Sequence, residues 1–365
     1  MINFILNWRL PVIQINCFIF LSSLLYQDQF LATSVVGSIL AGMRQSIRPI
    51  LYALFSFLLL GCTETKTALD TWTHSDTGLY GASISPNLDF LLTGDIDGFA
   101  RVWDLENNSV KYSVQHQDSD DGGIIGADFS ILNQVLVTME RESIARWAVE
   151  SGRLTGYWKW PNLTSIAISS SGRYALIGSK DNQAIYFDMT KGKMLYVFPH
   201  HEKVNSVAIS ADGRFALTGS DDWHASLWSL ETGEHIWARN LKYKISLVEL
   251  SDDGEFALAA AYIGDAYVYS TKSSGDVVAK LDGKRMTLVS ADFSDDGRLL
   301  ATGRVAKSID IWDVKTGLLK ESWKPKVKHL VQPDSATILD LKIDTNARSL
   351  ISETATGIGQ RWSIK

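Results

Sequence analysis

After residue 77 the chain settles into short apolar runs separated by turn residues. In the stretch 206–235, "SVAIS" alternates small and apolar positions and Asp212-Gly213 turns the chain. "RFALTGS" then supplies a second apolar run, a third ends at Trp228, and "ETGEH" leads into a fourth. Period-two alternation bounded by Asp-Gly is the pattern of a β-hairpin with one face buried. The same turn recurs at Asp253-Gly254 and Asp296-Gly297. An aromatic closes the third run of every unit, at Trp103, Trp147, Phe187, Trp228, Tyr269, Trp312 and Trp362, in steps of 44, 40, 41, 41, 43 and 50 residues. The pattern predicts an all-β chain of seven units, each with four strands.

One such sheet does not bury enough apolar surface to stand alone in water; stacking against its neighbours buries both faces. A period near 40–45 residues with four strands per unit predicts a β-propeller. The last unit ends at Lys365, just after its third strand, while "TALDTWTHSD" (67–76) precedes the first unit, where a fourth strand belongs. The reading is a seven-bladed ring over 67–365, closed by its N-terminal strand and so left without an open seam.

The units resemble WD repeats. Trp103-Asp104 and Trp312-Asp313 carry the dipeptide that names that family, and Asp97, Asp181 and Asp222 stand six residues before their aromatic, in the turn where the family places an aspartate. Arg141, Ile263, Ala306 and Thr356 depart from that pattern, and the Gly-His dipeptide usual before the first strand is absent from all seven units. The resemblance implies a seven-bladed WD-repeat β-propeller. The departures predict that the family's buried hydrogen-bond network is missing from most blades.

Residues 43–62 read "MRQSIRPILYALFSFLLLGC": a basic start at Arg44 and Arg48, an uncharged apolar run over 50–60, then Gly61 and Cys62. This is the layout of an export signal, and the run is too short to span a bilayer as a helix. Leu59, Leu60, Gly61 and Cys62 resemble the lipobox of bacterial lipoproteins. The resemblance implies cleavage after a signal peptide at 43–61, acylation of Cys62, and a short tether at 62–66. Several acyl chains anchor stably where one does not. Thr63, in place of an aspartate, resembles outer-membrane sorting and implies a lipid-anchored protein of the bacterial envelope that faces the periplasm. Residues 1–42 fit nothing downstream and read as an upstream extension, with translation starting at Met43; the alternative is an anchor built on Leu10–Tyr26.

The formal net charge of the 365 residues is -6, and residues 1–61 carry +2 of it, so the remainder carries -8. No basic stripe supports nucleic-acid binding. Cleavage before Cys62 leaves no pair of cysteines for a disulfide. No Gly-x-Ser-x-Gly elbow or His-Glu-x-x-His helix is present, "DIDG" at 95–98 lacks the further ligands of a calcium loop, and neither a metal nor another cofactor is expected. By the topology that the WD-repeat resemblance implies, His116, His200, His201, His224 and His329 fall in turns that share one face of the disc. The same face takes Trp160, Pro161, Trp223 and Tyr262, and large aromatics in turns are typical interface anchors. Trp160, His200, His201, Trp223, His224 and Tyr262 are therefore the candidate partner-binding residues. Two loops of opposite sign, acidic at 115–123 and basic at 324–334, add reach at the rim. The expected function is a protein-interaction scaffold for another envelope protein or peptide, held to the membrane by its lipid. The alternatives are an envelope hydrolase or lyase, and a structural subunit of an envelope assembly.

Overall fold

The computed structural model describes residues 67–365 except 96–98, 117–122, 273, 282–286, 306–307 and 327–336. Met43, the signal segment, Cys62, Thr63 and the tether lie outside the described residues, as do Asp97, His329 and most of the two charged rim loops.

The described chain forms seven four-stranded antiparallel sheets arranged as a propeller. In each blade strands a to d run outward from the axis, as in blade four: Val204–Ile209, Phe215–Ser220, His224–Ser229 and His235–Asn240. Blade seven takes its outer strand from Asp70–Thr73, which pairs antiparallel with Ile358–Ser363, so the first strand closes the ring. The b–c and d–a turns share one face, called upper here, and the a–b and c–d turns share the other.

The lower hairpins follow from one short signature. In six blades a serine directly follows strand a (Ser85, Ser130, Ser169, Ser210, Ser251, Ser294) and its hydroxyl accepts an amide five residues on. The turn then needs a left-handed residue, which Gly172, Gly213, Gly254 and Gly297 supply without a Cβ clash. The blades pack through alternating apolar faces, and each core cluster draws residues from two adjacent sheets.

The inner strands are stitched across the seams. Ser165 and Ser206 accept the amides of Val207 and Val248, and Asp128, Asp292 and Asp340 accept those of Ile168, Ile343 and Ile84, at 2.7–3.1 Å. A propeller has no backbone ladder between blades, so these bonds satisfy inner-edge amides that neighbouring sheets leave over.

Candidate functional site

Beneath the upper turn of blade four lies a polar chain. His200 donates or accepts through Nδ1 to Asp222 (3.1 Å) and through Nε2 to the Thr218 hydroxyl (2.7 Å), which also accepts the Trp228 indole N–H (2.9 Å). The histidine side chain is 2% exposed. Burial holds the imidazole below its ordinary pKa, with Asp222 working in the opposite direction. For Asp222 burial disfavours the charge, but the amides of His201 and His224 and the His200 ring outweigh it and hold the carboxyl below the usual range.

This geometry corrects one sequence expectation. The hydrogen-bond network is present in blade four, one of the blades whose turn aspartate fits the family pattern, and it forms without a Gly-His dipeptide because only the imidazole enters it; here Pro199 precedes His200. His200 belongs to the interior of the blade and is removed from the partner-facing set, since both ring nitrogens are engaged. Blade two has a partial version, in which His116 bonds Thr138 (2.8 Å) and Ser143 (2.6 Å) and Thr138 accepts the Trp147 indole (2.8 Å). The indole-to-hydroxyl bond recurs in blades one, six and seven, from Trp103 to Thr93, Trp312 to Thr302 and Trp362 to Ser352. Where the aromatic is Phe187 or Tyr269, the facing residue is Ile177 or Ala259, so the hydroxyl disappears together with the indole it would serve.

Trp160 also moves inward. Its ring meets Phe187 edge-on at 5.5 Å and packs against the core between blades two and three. Trp223, by contrast, is 49% exposed and adopts φ 74°. The equivalent turn positions of blades three and seven hold Asn182 and Gly357, residues suited to the left-handed region. A tryptophan there is strained by a Cβ that asparagine and glycine tolerate better, so the turn itself does not explain its presence.

His201 and His224 flank Trp223. The His201 amide donates to Asp222 (3.0 Å), and the His224 ring contacts the Asp222 carbonyl (2.9 Å). Tyr262 joins from blade five through the intervening loop: Leu241 donates its amide to the Trp223 carbonyl (3.0 Å), and Tyr262 donates its own to the Lys244 carbonyl (2.7 Å). Tyr243 and Ile263, which the sequence reading passed over, stand on this connection and are as exposed as Tyr262. Ile263 occupies the position at which blade four has the buried Asp222, so its isolation from any network was the available signal.

A second feature was also missed. The inner strands surround a polar channel of about 350 Å³. The position just before the last residue of strand a is Asp128, Glu249, Asp292 or Lys342 in four blades, charges inside otherwise apolar runs. Burial pushes the Asp128 carboxyl up to about 6, Glu249 to about 8 and Asp340 to about 7. Burial disfavours the Lys342 ammonium, but Asp292, at 2.6 Å, together with Glu249 and Asp340 holds it well above its usual range. Among the described residues no group of three or more His, Cys, Asp or Glu is arranged to hold a metal ion.

A family model described as WD domain, G-beta repeat, matches residues 66–104, 192–229 and 275–313. Each match begins in or just before the outer strand of one blade and ends at the c-strand aromatic of the next, at Trp103-Asp104, Trp228-Ser229 and Trp312-Asp313. The sequence repeat is thus offset by one strand from the structural blade, the same offset that lets Asp70–Thr73 close the ring.

Proposed function

Because the chain belongs to the WD-repeat β-propeller family, whose members typically serve as non-catalytic scaffolds that bind proteins or peptides, we propose that it presents the upper face of blades four and five to another envelope protein. The observation that carries this reading is Trp223, half exposed and held in a backbone conformation that its turn does not require. Strained residues that persist on a surface mark sites where something other than folding selects them. The partner-facing set is His201, Trp223, His224 and Tyr262, joined by Tyr243 and Ile263.

The anchoring part of the proposal is acylation of Cys62 in the outer membrane. What supports it is the run from Arg44 to Cys62, with its basic start, apolar stretch and Leu59-Leu60-Gly61-Cys62 ending.

The test is a photo-reactive residue placed at Trp223 and, separately, at Asp253 in the lower turn of blade five, followed by irradiation of intact cells. One discrete adduct from position 223 and none from 253 is the expected outcome. Adducts from 253 alone would move the interface to the lower face and overturn the reading. A second reading, a hydrolase or lyase of the envelope, draws on one observation, the channel carboxylates with raised pKa values. Its test is the Glu249→Gln variant, which must abolish any turnover attributed to the channel.

A further inference from the structure

Four large apolar side chains stand out of one corner of the upper face: Trp223, Tyr243, Tyr262 and Ile263, each about half exposed. Backbone hydrogen bonds tie their three turns together. The Thr287 hydroxyl fixes the Tyr262 carbonyl from the next loop (2.6 Å), and the Tyr243 ring lies over Gly264, where an added Cβ would come within 3.2 Å of it. The rings therefore sit on a rigid floor, which lowers the ordering cost of binding.

Two of these turns hold left-handed residues that are neither glycine nor asparagine. Trp223 has φ 74° and Lys242 has φ 64°, and the amide of Leu241, between them in the contact, bonds the Trp223 carbonyl. Other such residues, Leu88 and Ala347, lie in lower a–b turns. On the upper face the strain coincides with the aromatic corner.

The charge around the corner is sorted by depth. Lys203, Lys242 and Lys244 are exposed, with Glu202 the exposed carboxylate among them; the side chain of Asp265, in the turn of Tyr262 and Ile263, is 44% exposed and paired with Lys280 at 2.7 Å. Asp221 and Asp222 lie in the floor with side chains 8% and 7% exposed. Their oxygens are occupied: Asp221 by Asn205 (2.6 Å) and Lys244 (2.6 Å), Asp222 by His200 and the amides of His201 and His224. Lys203 (3.7 Å) and Lys244 (2.6 Å) are both drawn to Asp221, so the ammonium that a partner meets beside the apolar rings without an Asp221 contact is that of Lys242, exposed next to Tyr243.

We propose that this corner recognises an extended acidic segment of the partner, with an aromatic or aliphatic side chain seated among Trp223, Tyr243 and Tyr262 and a neighbouring carboxylate reaching Lys242. This rests on the scaffold reading and adds the chemistry of the partner. Rings supply the anchor and Lys242 the orientation, the usual division between a buried hot spot and its polar rim. A basic segment would meet like charge at the rim, which disfavours it.

The experiment pans random twelve-residue peptides displayed on phage against the full chain. Parallel selections use Trp223→Gly, Tyr262→Ser and Lys242→Glu. The expected peptides carry Asp or Glu beside Phe, Trp or Leu. Synthesised singly, they should lose about tenfold or more in affinity on each variant, and should weaken as salt rises, since exposed charges are screened. Peptides that need Trp223 but are neutral or basic, or that ignore the lysine reversal, would overturn the acidic chemistry while leaving the scaffold reading intact. Recovery of no peptide that depends on Trp223 or Tyr262 would overturn the proposal, and the cross-linking outcome then decides separately whether a partner uses this face.

Discussion

Blades four and five are consecutive, in step by 41 residues, and built from sheets of the same order. They fill the space beneath their upper turns in opposite ways. Blade four places His200, Thr218, Asp222 and Trp228 there as one hydrogen-bonded chain. Forty-one residues on, blade five has Leu241, Ala259, Ile263 and Tyr269. All four positions change together, and Leu241, Ala259 and Tyr269 enter the apolar core. The blade fold is therefore specified by strand pattern and turns, which the two share, while the polar chain is an alternative filling. This accords with the general asymmetry of hydrogen bonds: removing one partner strands the other, whereas replacing both sides with apolar groups is close to neutral.

The largest effect expected from breaking this comparison is Trp228→Ala. It empties a large buried site and takes one donor from the Thr218 hydroxyl, which keeps His200 and the Ser226 carbonyl, for a loss of about 3–5 kcal/mol in denaturant unfolding. Next is acidification, to which the polar fillings of blades two and four respond and the apolar filling beneath the upper turn of blade five, lacking the imidazole, does not. Burial lowers the His116 pKa from 6.5 to about 4. As pH falls the unfolded chain takes up this proton first, so the stabilisation is complete above about 6.5 and erodes toward 4, by about 3 kcal/mol at the end of that window. Urea midpoints of wild type and His116→Gln should converge as pH approaches 4. The channel carboxylates act in the reverse sense. Glu249 has its pKa raised from 4.5 to about 8, so the folded chain keeps a proton that the unfolded chain gives up, and stability falls as pH rises across that interval. Glu249→Gln should be more stable than wild type at pH 8, and equal midpoints there would contradict the desolvation argument.

Thr218→Val is expected to cost about 2 kcal/mol, because it leaves both the Trp228 indole and a His200 nitrogen without their shared partner. The exchange of all four residues for the blade-five set (His200→Leu, Thr218→Ala, Asp222→Ile, Trp228→Tyr) should cost less than the sum of the single changes. A full additive loss would show that the polar chain, not the strand pattern, specifies blade four.

The fold was legible because seven repeats reinforce one signal. Asp-Gly turns and a closing aromatic fix the strand period, and the pairing of Asp70–Thr73 with Ile358–Ser363 agrees with the expected closure. The candidate site was legible only in part. Trp223 stands out at a turn position where blade three has Asn182 and blade seven has Gly357. His200 and Trp160 were misplaced because turn residues on an upper face point either out to solvent or down between blades, and residue type does not distinguish these directions. The side-chain direction is decided by what lies beneath: Thr218 and Asp222 draw His200 inward, and Phe187 receives Trp160. Tyr243 and Ile263 were missed for the complementary reason. Each is an ordinary apolar residue in sequence and becomes informative only once Gly264 and the Trp223 carbonyl place their turns together.

The smallest change in stability carries the most direct test. Trp223→Gly removes the strained Cβ and an indole that is 49% exposed. Relief of the left-handed strain, about 1–2 kcal/mol, exceeds the added chain entropy of glycine, about 0.5–1 kcal/mol. The measurement is paired: thermal unfolding of Trp223→Gly beside its affinity for the partner cross-linked at position 223. The account predicts a melting temperature equal to or above wild type, with affinity weakened by about tenfold or more. A lowered melting temperature with unchanged affinity would place Trp223 in the structural framework and contradict the assignment of this corner as the binding surface.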